Sequence, residues 1–489
     1  MAVEYLGNWK GPRGVQGKRG ARGLPGVNAV ENDAAVAAYL AAEDSASGRE
    51  LARRVGQVAL STADFGAEPD SGIDATPAIQ AAIDAAGPGK SVILAPGNYA
   101  IGGRLRLRNV TQLHGYGATL TRTQYAGLPT EGLMVVNWDE GDYTTTGYNG
   151  HSDIGVYGIT FDFAGDTIEH AGNTVTFNHA RNITFRDCTF RRGRGYHDLE
   201  LNSTDGALID NCTFAGFVET AGLPGKEAIQ IDVAQYGDDD SGAKDGTMAK
   251  NITVRKCTFT SYGELPGAPT GVGSHARDGG KQYEGITITD CVFTGGTGRA
   301  VDGWYWSKSS VTGNTVSGYT QGIRLVDSHD SAVNGNQISS VVSQGVSLGT
   351  NSTGVAVVGN TISDCAAGVF IGDGGRGNTV SGNTTVRTSS YAAIVEGADE
   401  TLISGNTFRS PGYPAGAFGA VRITSNASTS TSWGTSVTAN KVITHGAGTE
   451  VSAGVSVVSD AQETWVFGND FRGLAQATTG PVNTTSNRT

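Results

Sequence analysis

The stretches Asn182–Phe190 (NITFRDCTF), Ala207–Phe214 (ALIDNCTF), Asn251–Phe259 (NITVRKCTF) and Gly285–Phe293 (GITITDCVF) are four copies of one motif. Shorter copies follow as SVTGNTV, AVNGNQI, VAVVGNTI, TVSGNTTV, TLISGNTF, SVTANKV and WVFGNDF. Each holds two alternating apolar residues, a small turn, a Cys or Asn, and another apolar pair. The turn positions are Cys188, Cys212, Cys257, Cys291, Asn314, Asn336, Asn360, Asn383, Asn406, Asn440 and Asn469. Their spacings are 24, 45, 34, 23, 22, 24, 23, 23, 34 and 29. A unit of 22–24 residues with three short strands is one coil of a parallel β-helix. Coils stack at the strand spacing of ~4.8 Å, and each buries its neighbour's apolar interior. The fold class expected is all-β, a single-stranded right-handed parallel β-helix. A leucine-rich repeat of similar period would show LxxLxLxxN, which is absent. Asn at one recurring turn can hydrogen-bond to the Asn above it and form a ladder; Cys fills the same slot in the first four coils.

Composition agrees. Glycine, at 73 of 489 residues, is about twice its average usage of ~7 %, and only 17 % of residues are charged. A net charge of −12 argues against a general nucleic-acid binder. The five cysteines are odd in number and form no CxxC pair, and four occupy equivalent repeat positions; buried thiols are expected rather than disulfides or metal ligands. No apolar run approaches the ~18 residues of a membrane span, so no membrane insertion is expected. The beginning, Met1-Ala2-Val3-Glu4, lacks the basic and apolar regions of a signal peptide, which predicts folding in a cytoplasm.

Three zones succeed one another. In residues 1–28, Gly recurs at 11, 14, 17, 20, 23 and 26, the period a collagen triple helix needs because no other residue fits at its axis. Six triplets are too few to stand alone, so a trimeric stem over 11–28 is expected. Residues 29–60 are Ala-rich and read as short helices whose apolar stripes (Val36 and Leu40; Leu51, Val55 and Val58) trimerisation would bury. The β-helix is assigned to 61–489, with a capping helix at 77–86: Thr76 caps it, Pro77 takes the first helical position, Ile79 and Ile83 face inward, and Gly87 ends it.

The long spacings locate function. After Cys212 the chain carries about twenty extra residues, including Gly237–Gly242, and after Cys257 about eleven more, including Pro266–Pro269. A solenoid takes insertions at its turns, where they wall a binding face. Period-two alternation turns Leu199, Leu201, Ile229, Ile231, Val233 and Val272 inward. It leaves Asp198, Glu200, Asn202, Gln230, Asp232 and His275 outside, with Asp302, Trp304, Trp306 and Arg324 in later coils. Glu200, Gln230, Asp302 and Arg324 then stack in one column, with Asn202, Asp232, His275 and Trp304 beside it.

Two carboxylates flanking a groove are what glycosidic cleavage needs. Glu200 and Asp232, one coil and one step apart, lie roughly 8 Å apart from strand spacings, within the ~6.5–9.5 Å of an inverting pair. Asp302 and His275 are further proton-transfer candidates. Trp304 and Trp306 suit stacking on sugar faces, and Arg324 an anionic sugar or phosphate. Outward carboxylates on a β-helix are ordinarily just solvated, so the clustering carries this reading rather than any one residue. No cofactor is expected; Asp238–Asp240 form a candidate Ca²⁺ loop, and such acidic loops are more often unliganded.

A family resemblance is carried by residues 64–101, DFGAEPDSGIDATPAIQAAIDAAGPGKSVILAPGNYAI. It resembles the start of the pectate-lyase-like β-helix domains of phage tailspikes and glycan-degrading enzymes, in which this helix plugs the solenoid. EAIQID (227–232) with GVGSH (271–275) also resembles β-helix proteins of phage tails and bacterial surfaces. That resemblance adds Glu227, whose parity points inward and which more plausibly sits at a turn, to Asp232 and His275. With the Gly-X-Y stretch, the chain resembles a bacteriophage tail fibre or tailspike (a minor tail protein). The resemblance implies a homotrimer on the virion, joined through its N-terminus to other tail or baseplate proteins and meeting host surface polysaccharide or cell-wall glycan. Whether that glycan is hydrolysed, cut by a lyase, or only held stays open at this point, as does an inert structural spacer.

Overall fold

A computed structural model of the chain describes residues 59–484 apart from 124–131, 224, 235–240, 414–417, 427–430, 445–450, 459, 473 and 475. The collagen-like stretch 11–28, the helical region from 29 onward and Asp238–Asp240 lie outside the described residues. Where the helical expectation reaches into them, at Ala59 and Leu60, the chain forms a strand instead, Ala59–Ser61. That strand pairs with Ser91–Ile93 and joins the sheet.

The described chain is an all-β parallel β-helix with very little helix. Its strands assemble into three parallel sheets of 18, 13 and 14 strands, called here A, B and C. One coil runs from Arg181–Arg186 in sheet A through Thr189–Arg194 in sheet B and Leu199–Asn202 in sheet C to Asp205–Asp210, back in sheet A. The first helix, α1 (Thr76–Ala86), packs Ile79 and Ile83 into the first coils. Its start differs from expectation. Ala75 holds the cap position without a side-chain bond, and Asp74 Oδ1 accepts from the Thr76 amide at 3.0 Å and hydroxyl at 2.6 Å. Thr76 is thereby freed to accept the Gly102 and Gly103 amides at 3.1 and 3.0 Å, tying α1 to the sheet.

Alternation fills the interior with stacked side chains. Phe161, Phe190, Phe214, Phe259 and Phe293 form one continuous stack, with centroids 5.1, 4.8, 4.9 and 4.5 Å apart. These spacings are close to the strand separation, so each ring sits on the one below at the offset-stacking distance. All five cysteines are free and buried.

At the corner between sheets A and B the residue before each Cys or Asn is left-handed. Asp187, Asn211, Lys256 and Asp290 have φ of 56, 55, 53 and 54°, and Gly313, Gly335, Gly359, Gly382 and Gly405 take over the position. Glycine adopts this conformation without the Cβ penalty other residues carry. Behind it runs the Asn ladder. Asn314, Asn336, Asn360, Asn383, Asn406 and Asn440 each donate the main-chain amide to the next Asn Oδ1 at 2.9 Å. Each side-chain amide also reaches the next Oδ1 and a carbonyl one coil back, as Asn360 Nδ2 does to Asn383 Oδ1 at 3.0 Å and Val333 O at 2.8 Å. In the cysteine coils the thiol replaces this bridge, with the Cys257 amide 3.4 Å from Cys291 Sγ.

Two substitutions test the corner. Gly359→Val places a branched side chain at φ 65°, a cost of about 1–2 kcal/mol. Asn360→Leu takes the side-chain donor from Val333 O and the acceptor from the Asn336 main-chain amide, while Asn383 Oδ1 keeps the residue-360 amide; each buried group left unpaired costs about 1–3 kcal/mol. Thermal unfolding followed by far-UV circular dichroism should show a lower midpoint for both, with Asn360→Leu the more damaging.

Candidate functional site

Sheet C carries the candidate site on its outer face. Strand register aligns Thr176, Glu200, Gln230, Gly273, Asp302 and Arg324 as one column, and Asn178, Asn202 and Asp232 as a second beside it. The column of Glu200, Gln230, Asp302 and Arg324 is thus present, with one position the sequence reading passed over. Gly273 stands between Gln230 and Asp302 with no side chain. A Cβ there would lie 3.0 Å from both Glu227 Cγ and the Asp302 carbonyl oxygen, so the main chain forms a floor and Glu227 leans over it.

Three residues break the simple alternation. Glu227 faces outward: Ala228 and Ile229 both enter the core, because the chain turns the corner into sheet C there and the parity shifts by one. The same shift turns Asp198, expected outside, to the inside. It precedes Leu199, whose register partner Ile229 follows the core residue Ala228. It is 2 % exposed, and its Oδ1 has no hydrogen-bond partner; burial alone pushes its carboxyl up to about 8. Trp306, expected as an exposed sugar platform, is fully buried. Tyr305 has φ 63°, which flips the following residue inward, and the Trp306 indole donates to Ser274 Oγ at 2.7 Å. Trp304 remains half-buried at the surface.

Two carboxyl groups sit in different surroundings. Glu200 receives Asn173 Nδ2 at 2.5 Å, Thr176 Oγ1 at 3.1 Å and Asn202 Nδ2 at 3.0 Å, yet burial pushes it up to about 7, with the charge of Asp232 adding to the shift. Asp232 is 3 % exposed. Burial raises its carboxyl too, opposed by His275, the Val233 amide and Tyr283. The Val233 N–H lies 2.8 Å and the Tyr283 hydroxyl 2.9 Å from its Oδ1, and Gln230 Nε2 donates to its Oδ2. These donors favour the carboxylate form of Asp232. His275 is exposed and its Nδ1 lies 3.5 Å from Glu227 Oε1, the contact that holds its pKa above the usual imidazole value. His197, buried beneath Glu227, is driven well below that value by burial; its neutral ring donates from Nδ1 to the Glu227 carbonyl at 3.0 Å.

Asp302 is differently employed. Arg324 grips it through Nε at 2.7 Å and a terminal nitrogen at 2.8 Å, Arg299 approaches at 3.4 Å, and Trp304 Nε1 donates at 3.1 Å. A carboxylate with its lone pairs so occupied is a poor proton carrier. Its role is to position Arg324, which lies 5.0 Å from the Trp304 ring centroid. Sequence reading missed Asn173, His197, Tyr283 and Arg299. Asn173 precedes the first repeat copy read, Tyr283 follows the second insertion outside the motif, and His197 and Arg299 stand at the corner where parity shifts.

The face continues toward the N-terminus. A polar cleft lined by Asn137, Asp139, Asn149, His151, Asn178 and Ser241 lies below Asn202 in the second column. Among the described residues Asn178 Oδ1, Asn202 Oδ1 and Gln230 Oε1 are buried acceptors without a hydrogen-bond donor. The end of the first insertion closes this cleft: the Gly242 and Ala243 amides donate to Asp142 O and Thr145 O at 2.8 Å each. The ring nitrogens of His179 stand 2.7 Å from Gly147 O and 2.9 Å from Ala243 O. No group of three or more His, Cys, Asp or Glu side chains able to hold a metal stands among the described residues. Nor is any described helix long and apolar enough to cross a membrane.

Comparison with known proteins gives the class. A family model described as "Rhamnogalacturonase A/epimerase, pectate lyase-like" matches residues 59–295, and one described as "Right handed beta helix region" matches 243–408. The chain thus contains a right-handed, pectate-lyase-like β-helix. It is 24 % identical over 322 residues to the plasmin and fibronectin-binding protein A of Streptococcus pneumoniae. That match covers 59 % of the chain and 44 % of the relative, so the chain spans less than half the length of the curated protein it matches. Among solved structures it is similar to PfbA, a surface adhesin of S. pneumoniae, with TM-score 0.56 and 18 % identity, over 76 % of this chain and 93 % of that one. It is also similar to the tailspike of E. coli bacteriophage HK620 in complex with hexasaccharide, with TM-score 0.57 and 15 % identity, over 88 % and 79 % of the two chains. At these identities the likeness is one of fold.

Two predictions follow from the site's frame. His179→Ala removes the ring that stands between the Gly147 and Ala243 carbonyls, and with it a hydrogen bond worth about 1 kcal/mol; hydrogen–deuterium exchange over residues 241–248 should quicken about fivefold. Asp198 binds a proton in the folded chain up to about pH 8 but only below ~3.9 when unfolded. Its contribution to stability is full below the lower value and is lost as pH rises through the upper one. Asp198→Ala should raise the unfolding midpoint at pH 9 and flatten its fall between pH 5 and 9.

Proposed function

We propose that this chain is a phage tail fibre or tailspike whose β-helix binds a host surface glycan along the outer face of sheet C and hydrolyses it. The observation that carries this reading is the pairing of Glu200 and Asp232 on adjacent coils beside the side-chain-free floor at Gly273. Glu200, held near neutrality at about 7, is the general acid that protonates the leaving glycosidic oxygen. Asp232, whose carboxyl oxygens receive the Val233 amide and Gln230 Nε2, is the base that activates water. Burial raises both carboxyls, Glu200 to about 7, while the charge of His275 and the donors to Asp232 oppose the rise there; unlike surroundings of this kind divide the acid and base roles. Their diagonal placement, roughly 8 Å from strand spacings, suits inversion.

The unpartnered amide oxygens of Asn178, Asn202 and Gln230 suit a ligand rich in hydroxyl donors, since buried acceptors left unpaired are costly. Trp304 supplies a ring face. Arg324, held by Asp302, suits an acidic substituent. His275, whose proton affinity Glu227 raises, stands at the rim as a further proton-transfer group. The Gly-X-Y stretch, which needs three chains, supports a homotrimer joined to the virion through its N-terminal stem. A second reading keeps the same face as a receptor-binding surface that holds glycan without cutting it. It is favoured by the extent of the acceptor column, which runs beyond the carboxyl pair.

Incubation of the full chain with purified host polysaccharide should release new reducing ends. Glu200→Gln and Asp232→Asn should each lower the rate about 10²–10⁴-fold while leaving binding in place. In the wild type kcat/KM should fall above pH 7 as Glu200 loses its proton. Binding without products establishes the receptor reading instead, and products absorbing as unsaturated uronates identify a lyase.

A further inference from the structure

We infer that the outer face of sheet A over its last coils, centred on Trp465 and Phe467, is where a second copy of this chain packs. This rests on the trimeric reading above. The face is apolar where a solvated one would not be. Trp465 is 45 % exposed, Phe467 and Trp433 41 %, and Leu402 38 %. Register places them together: Leu402, Ser436 and Trp465 share one outward column, Ser404, Thr438 and Phe467 the other, and Trp433 pairs at the neighbouring corner with Gln462, three residues before Trp465. Both aromatic residues of Trp465–Phe467 point out on either side of Val466, which is fully buried. Contiguous exposed apolar side chains of this size mark interfaces.

Charge selects the occupant. Each chain carries a formal −12, so copies repel unless they meet through neutral ground. From Thr287 through Ser310, Ala332, Ala356, Thr379, Leu402 and Ser436 to Trp465, the first outward column of sheet A holds no charged residue. From Thr289 through Thr312, Asn334, Val358, Ser381, Ser404 and Thr438 to Phe467, neither does the second. Over the same coils sheet B exposes Arg409 and Lys441, and sheet C holds Asp302, Arg324 and Arg422. The strip is about 7 Å wide between columns and roughly 35 Å long from strand spacings. The Gly-X-Y triplets at 11–28 supply the demand for further copies, because a collagen helix has three chains. Sheet C, with the glycan site, is left facing outward.

The test uses the full chain with one cysteine introduced at Thr438→Cys, between Ser404 and Phe467, and a control at Arg422→Cys on sheet C. Both carry a nitroxide label; the native cysteines, 5 % exposed or less, are checked by labelling the parent chain. In a trimer, confirmed by sedimentation, the label at 438 should lose its sharp mobile component while that at 422 keeps it. The double substitution Trp465→Lys with Phe467→Lys should restore mobility at 438 and lower the temperature at which the trimer dissociates, with the circular dichroism spectrum unchanged. A trimer in which the label at 438 is as mobile as the control overturns this assignment and leaves the trimeric reading standing. A chain that sediments as a monomer overturns both.

Discussion

Every coil is held to the next by hydrogen bonds that run along the axis of the solenoid, and the Asn ladder is where that constraint is tightest. A side-chain oxygen at one corner accepts both an amide proton and a side-chain proton from the coil below. The polar groups of a sharp turn are therefore satisfied inside the protein rather than by water. Once corners are fixed this way, strand register follows, and with it the stacking of Phe on Phe and the alignment of outward residues into columns. The left-handed residue ahead of each ladder position is part of the same constraint, since it aims the Asn inward.

The candidate site arises where this regularity gives way. At the corner into sheet C the parity of the strand shifts by one, bringing Glu227 out and Asp198 in. In the next coil Gly273 leaves a column position bare. Neither feature would matter on a featureless wall. Beside Glu200, Asp232 and His275 they create an approach to the main chain, bordered by groups whose protonation is set by burial and by their neighbours. Asp302 shows the opposite outcome: a carboxylate in the same column, neutralised by Arg324 and Arg299, serves as scaffold.

Period and spacing made the solenoid legible, because a coil of 22–24 residues with alternating apolar positions has few other solutions. The column Glu200–Gln230–Asp302–Arg324 was readable for the same reason, as alternation within a strand is strict. Trp306 and Asp198 depart from expectation because alternation stops at corners and at Tyr305, whose positive φ no residue type announces; Glu227, expected at a turn despite its inward parity, stands at such a corner. The surroundings of Glu200 and Asp232 include Asn173 and Tyr283, which lie outside the motif and reach the site only through folding.

The stacking rule also makes the molecule a ruler. Since each regular coil touches only its immediate neighbours, adding or deleting one such coil shifts everything beyond it by a fixed step of ~4.8 Å. The 14 strands of sheet C correspond to roughly 60 Å of such steps. Reach can then change by gain or loss of repeats at the regular coils between Cys291 and Asn406, while the irregular coils that carry Glu200, Asp232 and Gly273 keep their internal geometry.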